Sequence, residues 1–89
     1  MTEIPADQKF LAFVLNEIVD HPDAVKITRK KDEFGVLLEF SVHPDDTGKV
    51  IGKGGQTIKS LRILLRIVGA KDHPERVNLR LLDSENENG

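Results

Sequence analysis

The chain has no cysteine, no tryptophan and no tyrosine, and only one methionine. Without cysteine it can build neither a disulfide framework nor a thiolate metal site. Its four aromatic residues are all phenylalanine, and Phe10, Phe13 and Phe40 fall on segments of regular periodicity. Modules that stack nucleobases on exposed aromatic platforms are therefore poorly served. No apolar run reaches the roughly 20 residues that span a bilayer. The start, Met1-Thr2-Glu3-Ile4-Pro5, lacks the basic and apolar regions of a signal peptide, so a cytoplasmic location without membrane contact is expected. Histidine is scarce too: His21, His43 and His73 each precede a proline at an expected element boundary. That pattern reads as turn chemistry, and the wide separation gives no ligand spacing, so neither metal nor other cofactor is expected. Asp45-Asp46 reads as a helix start, since adjacent helical residues point apart. With no credible nucleophile and base, no enzyme is expected.

What is present fits one small domain. Of 89 residues, 38% are apolar and 31% charged, a balance that suits a compact fold with a single core. The expected organisation is a flexible start over residues 1–6, a domain over 7–82 and a disordered acidic tail over 83–89. Net charge is −2, which argues weakly against a polyanionic partner. Its distribution argues the other way. From Met1 to Asp23 one lysine faces five acids, whereas Thr47 to Ala70 carries Lys49, Lys53, Lys59, Arg62 and Arg66 with no acid.

Apolar residues Phe10, Leu11, Val14, Leu15 and Ile18 recur at helical spacing, predicting a helix from about Asp7 to Asp20 with Asp7 as cap and Pro22 beyond its end. Val25, Ile27 and Arg29 then alternate with Lys26, Thr28 and Lys30, and Val36, Leu38, Phe40 and Val42 with Leu37, Glu39 and Ser41. Lys31 to Gly35 reads as the turn of that hairpin. His43-Pro44-Asp45-Asp46 opens a short helix with an aspartate cap, broken at Gly52. A longer helix runs from Gln56 to about Val68, with Gly69 supplying a left-handed end. After Lys71-Asp72-His73-Pro74, a last strand alternates Val77, Leu79 and Leu81 with polar residues. The order α-β-β-α-α-β implies an α+β sandwich of two layers, a three-stranded sheet covered by three helices.

The most informative stretch is Val50-Ile51-Gly52-Lys53-Gly54-Gly55-Gln56-Thr57-Ile58. Glycines permit positive φ and let another molecule's backbone come close. The following helix directs unpaired N–H groups and its positive dipole end into this turn, and Lys53 adds a mobile charge. A sugar-phosphate backbone suits such a site. Two other phosphate motifs fail. Gly48 to Gly54 is one residue short of a Walker A loop and has Gly54 where Ser or Thr should hold magnesium. A dinucleotide fingerprint lacks its third glycine.

These residues resemble the hallmark of KH domains, whose G-x-x-G loop clamps a short run of nucleotide backbone. The element order resembles the type II, prokaryotic arrangement. Together with Val19-Asp20-His21-Pro22-Asp23, the chain resembles the short bacterial single-KH proteins of the KhpA type. The resemblance implies single-stranded RNA as ligand and a role as RNA chaperone or post-transcriptional regulator. It places Gly52, Lys53, Gly54 and Gly55 in the clamp, with Ile51 and Ile58 as flanking apolar positions. Gly54 departs slightly from the family pattern, where a polar or charged residue is frequent. A partner protein with its own KH domain is also implied.

At about 100° per residue, Ile58, Leu61, Leu64, Leu65 and Val68 share an arc that should face the sheet. Lys59, Arg62 and Arg66 form an adjacent stripe that, with Lys49, would border the RNA groove. Ser60, Ile63 and Ile67 lie on the far side, either under the N-terminal helix or on a partner surface serving a weak homodimer or heterodimer. A non-specific DNA binder and a pure protein-interaction module are the rival readings.

Overall fold

The periodic segments become three α-helices and three strands in a computed structural model that describes residues 4–72 and 76–82. Helix α1 spans Ala6–Ile18 and is followed by a 3-10 turn at Pro22–Ala24. Strands β1 (Lys26–Asp32) and β2 (Gly35–Ser41) form an antiparallel hairpin, Lys26 opposite Ser41 and Asp32 opposite Gly35. A second 3-10 turn, Pro44–Asp46, leads into α2 (Thr47–Ile51). Helix α3 (Gln56–Asp72) and strand β3 (Val77–Leu81) complete the chain. The sheet order is β1-β2-β3, with β3 parallel to β2. Parallel neighbours need a crossover, and α2 and α3 supply it. The expected α-β-β-α-α-β order is the one observed.

Period-two alternation decides which side of the sheet is buried. Val36, Leu38 and Phe40 on central β2 pair with Val77, Leu79 and Leu81 on β3. They turn the same way as Ile27 and pack with Leu11, Leu15, Val50, Leu61 and Leu65 from the helices. Leu11, Leu15, Leu38, Phe40 and Leu65 are completely buried. Each such side chain stabilises the fold by about 1.5–3 kcal/mol before entropy is charged. On the other face, Glu39 sits between cations from both neighbours, its Oε1 3.1 Å from Lys30 Nζ and its Oε2 3.6 Å from Arg80 Nη1. The charged side chains on edge strand β1 also discourage pairing with another chain.

Three expectations about helix ends need correction. Asp7 does not cap α1: the helix begins at Ala6, and the Asp7 carboxylate accepts the Gln8 N–H and a two-pronged bond from Arg29. Asp46 precedes α2 without bonding to its backbone; its carboxylate points away, to residues before β1. Gly69 ends nothing. Helix α3 continues to Asp72, and Gly69 is buried inside it because a Cβ there would stand 2.5 Å from Val77 Cγ2. Leu64 departs from the arc assigned to it and is 44% exposed, since Leu61 and Leu65 already fill the line of contact with the sheet. The His73-Pro74 turn and the 83–89 tail lie outside the described residues.

Candidate nucleic-acid interface

The glycine turn joins α2 to α3. Helix α2 stops because Gly52 leaves helical geometry at φ 78°, ψ 169°, while its N–H still bonds to Gly48 O at 2.9 Å. A Cβ on residue 52 would stand 2.2 Å from Thr57 Oγ1 and 2.7 Å from the Thr57 nitrogen, so only glycine fits. A single 3-10 turn over Lys53–Gly55 follows, closed by Gly55 N–H to Gly52 O at 3.1 Å. Gly54 and Gly55 both hold positive φ, 64° and 78°, yet nothing lies within 4 Å of where their Cβ atoms would be. Positive φ keeps the turn tight, and the space beside Gly54 is open to an approaching chain. Lys53 is exposed at its tip.

The flanking apolar pair has the expected place: Ile51 and Ile58 are half-buried against the core on either side of the turn. The basic residues divide. Lys59 and Arg66 are exposed on one flank of α3, and among the described residues they and Lys53 form no ion pair. Arg62, between them in the stripe, turns back to the sheet, its Nε donating to Leu79 O at 3.3 Å. Lys49 is drawn away as well, paired with Asp20 and 3.7 Å from Asp46 Oδ1. The hydrogen bond to Asp20 outweighs partial burial and raises the Lys49 pKa above its ordinary value. Next to Lys59 and Arg66 on the outer side of α3, Ser60, Ile63 and Ile67 are exposed with Leu64, and α1 does not cover them.

Asp46 holds the base of this arrangement. Burial pushes its carboxyl pKa up, but N–H donation from Asp20 (3.1 Å) and His21 (3.0 Å), helped by the charges of His21 and Lys49, brings it below the usual range. The carboxylate thus remains ionised at neutral pH and ties the turn after α1 to the foot of α2. Nothing in the sequence pairs Asp46 with residues 25 and 26 positions earlier, and periodicity is blind to such a bond. The same fold places His21 against His43, ring centroids 4.1 Å apart, although 22 positions separate them.

A sequence profile of the family described as KhpA/KhpB, KH domain, matches residues 8–81. The chain is 46% identical over 66 residues to RNA-binding protein KhpA of Halalkalibacterium halodurans, covering 74% of this chain and 86% of that protein. It is 36% identical over 78 residues to RNA-binding protein KhpA of Chlamydia pneumoniae, covering 88% of this chain and 99% of that one. With RNA-binding protein KhpA of Bacillus subtilis it shares 33% identity over 76 residues, covering 85% and 93%. The match takes in all three strands and the whole glycine turn. With its sheet order and helix connections as well, the chain belongs to the KhpA/KhpB family of KH domains.

Proposed function

We propose that this protein binds single-stranded RNA, gripping the sugar-phosphate backbone with the turn Gly52–Gly55. The observation that carries this reading is the turn itself: three left-handed glycines, an unobstructed surface at Gly54 and an exposed lysine, all at the head of a long helix. Phosphate oxygens meet backbone N–H groups and Lys53 there, while Ile51 and Ile58 offer apolar contact to bases. Lys59, Arg62 and Arg66 supply the longer-range attraction; Arg62, engaged with Leu79 O, is less free to meet a phosphate directly. The KhpA relatives are named RNA-binding proteins, which supports the same reading. The protein acts by binding, without catalysis, as a cytoplasmic RNA chaperone or post-transcriptional regulator. Among the described residues no helix is long and apolar enough to cross a membrane.

The exposed Ile63, Leu64 and Ile67 favour a second role for α3, contact with another copy of the chain or with a second KH-containing protein. That face and the glycine turn use different surfaces, so RNA and partner can be held together.

The clamp is tested by Lys53→Asp with Gly54→Asp. Aspartate tolerates the left-handed backbone of residue 54, and the turn is exposed, so thermal stability should stay nearly unchanged. Two acids facing phosphate should abolish binding to single-stranded RNA measured by fluorescence anisotropy. A folded double variant with wild-type affinity would remove the clamp assignment. Matched single-stranded DNA and duplex arms, each expected to bind more weakly, separate the RNA reading from a general DNA binder.

A further inference from the structure

At the other end of α2 from the glycine turn, the fold assembles a second cluster of potential ligands. His21, His43 and Asp45 each offer one ligand atom, and these atoms all lie within 4.8 Å of one another. His21 Nε2 and His43 Nδ1 are each 3.7 Å from Asp45 Oδ2. Donors around a tetrahedral ion with bonds of about 2.0–2.2 Å stand roughly 3.3–3.6 Å apart. The two rings now stack at 4.1 Å and 24°, so binding requires them to unstack and turn until their in-plane lone pairs meet at one point beside Asp45.

The backbones behind these ligands are already fixed. The His21 N–H is held by buried Asp46 at 3.0 Å, and the Asp45 N–H donates to His43 Nδ1 at 3.0 Å. An ion on His43 Nδ1 takes the lone pair that this N–H now uses. The displaced N–H is exposed and turns to water, so the exchange weakens the site without forbidding it. The three side chains are 43%, 39% and 73% exposed, which leaves room for water to complete the coordination shell.

Two imidazole nitrogens and one carboxylate suit a borderline divalent ion; magnesium and calcium prefer an all-oxygen shell. We propose that His21, His43 and Asp45 form a zinc(II)-class site that staples the turn after α1 to the start of α2. The ion would exchange with solvent, because three ligands on an open surface do not make the closed shell of a structural zinc centre.

The test is a zinc titration of untagged, chelator-treated protein, followed by calorimetry and thermal melting. One ion per chain should bind, and at a free zinc concentration about ten times Kd the melting temperature should rise by roughly 6–11 °C. Magnesium should give no shift. His21→Gln with His43→Gln should remove the shift while the zinc-free protein still melts cooperatively. Asp45→Asn keeps the backbone N–H and should weaken zinc by more than the roughly 10–100-fold typical of an outer-shell loss. Cobalt(II) substituted into the wild type should give the d–d absorption of a low-coordinate nitrogen and oxygen site. Absence of a zinc-induced shift, or a shift that persists in the double glutamine variant, overturns the proposal. Should the glutamine variant fail to fold, histidine ring proton shifts in wild-type protein decide: His21 and His43 must both respond to zinc, and a response confined to His73 also overturns it.

Discussion

Arg29 occupies the inward-facing row of β1, between Ile27 and the helices, where an unpaired cation would be costly. Its partner is Asp7 on the first turn of α1, 2% exposed, with Nε 3.0 Å from Oδ1 and Nη2 3.2 Å from Oδ2. Two parallel charge-assisted bonds fix the start of α1 over the hairpin, which neither helix propensity nor strand pairing could specify. Removing one member leaves the other buried and uncompensated. Arg29→Met should therefore cost about 3–5 kcal/mol in urea denaturation. The double change Arg29→Met, Asp7→Leu should recover most of that loss, since a matched apolar pair has no charge to desolvate. A neutral single variant would show that the pair contributes orientation and no stability. The alternation that puts Arg29 on the buried side is plain in the sequence. That an inward arginine demands an acid is equally plain, but eleven acids lie outside the basic segment and ahead of the tail besides Asp7, and no local rule chooses among them.

Gly69 shows, at the level of elements, how one residue type answers two physical demands. Its position after an apolar run and ahead of His73-Pro74 predicts a left-handed helix end, yet the helix passes through it to Asp72. The reason lies on another element: Val77 of β3 occupies the space a Cβ would need. In an exposed helix interior, glycine to alanine gains about 1 kcal/mol from propensity. Here the 2.5 Å approach to a stiff, buried valine opposes that gain, and overpacking of this kind costs about 1–3 kcal/mol. Gly69→Ala should be neutral to destabilising by about 2 kcal/mol. In a Val77→Ala background, with Cγ2 removed, the same change should stabilise. Equal effects in both backgrounds would mean that the helix shifts to avoid Val77. The elements themselves and the glycine turn are legible in the sequence because periodicity and turn chemistry are local. Gly69, the Asp46 bonds and the His21–His43 contact arise only when distant segments meet. Leu64 marks a milder failure of the same kind, since a helical arc gives angles but not how much of the arc a neighbouring sheet covers.

At the scale of the whole molecule, the proposed reading gives α3 three tasks: core element, border of the RNA groove and partner surface. Leu61 and Leu65 face the sheet, and the outer side carries Lys59 and Arg66 beside Ile63 and Ile67, which are 57% and 61% exposed. These isoleucines do not pack beneath α1, and a partner surface is proposed for them. In a symmetric dimer centred on them, four isoleucines contribute about 6–12 kcal/mol at 1.5–3 kcal/mol each. Association costs an estimated 4–15 kcal/mol, so even the most favourable balance, about 8 kcal/mol, gives the proposed homodimer no more than about micromolar affinity. Ile63→Lys separates interface from core. The variant should melt as the wild type does at low concentration, since residue 63 is already in water. Wild-type protein at about 100 μM should sediment as a mixture rich in dimer, and the variant as a monomer. RNA affinity should be largely kept, because the glycine turn is on a different face, while any gain from two linked RNA sites should disappear. A wild type that is monomeric at that concentration would leave the apolar flank to a heterologous KH partner. A variant that unfolds would return Ile63 to the core.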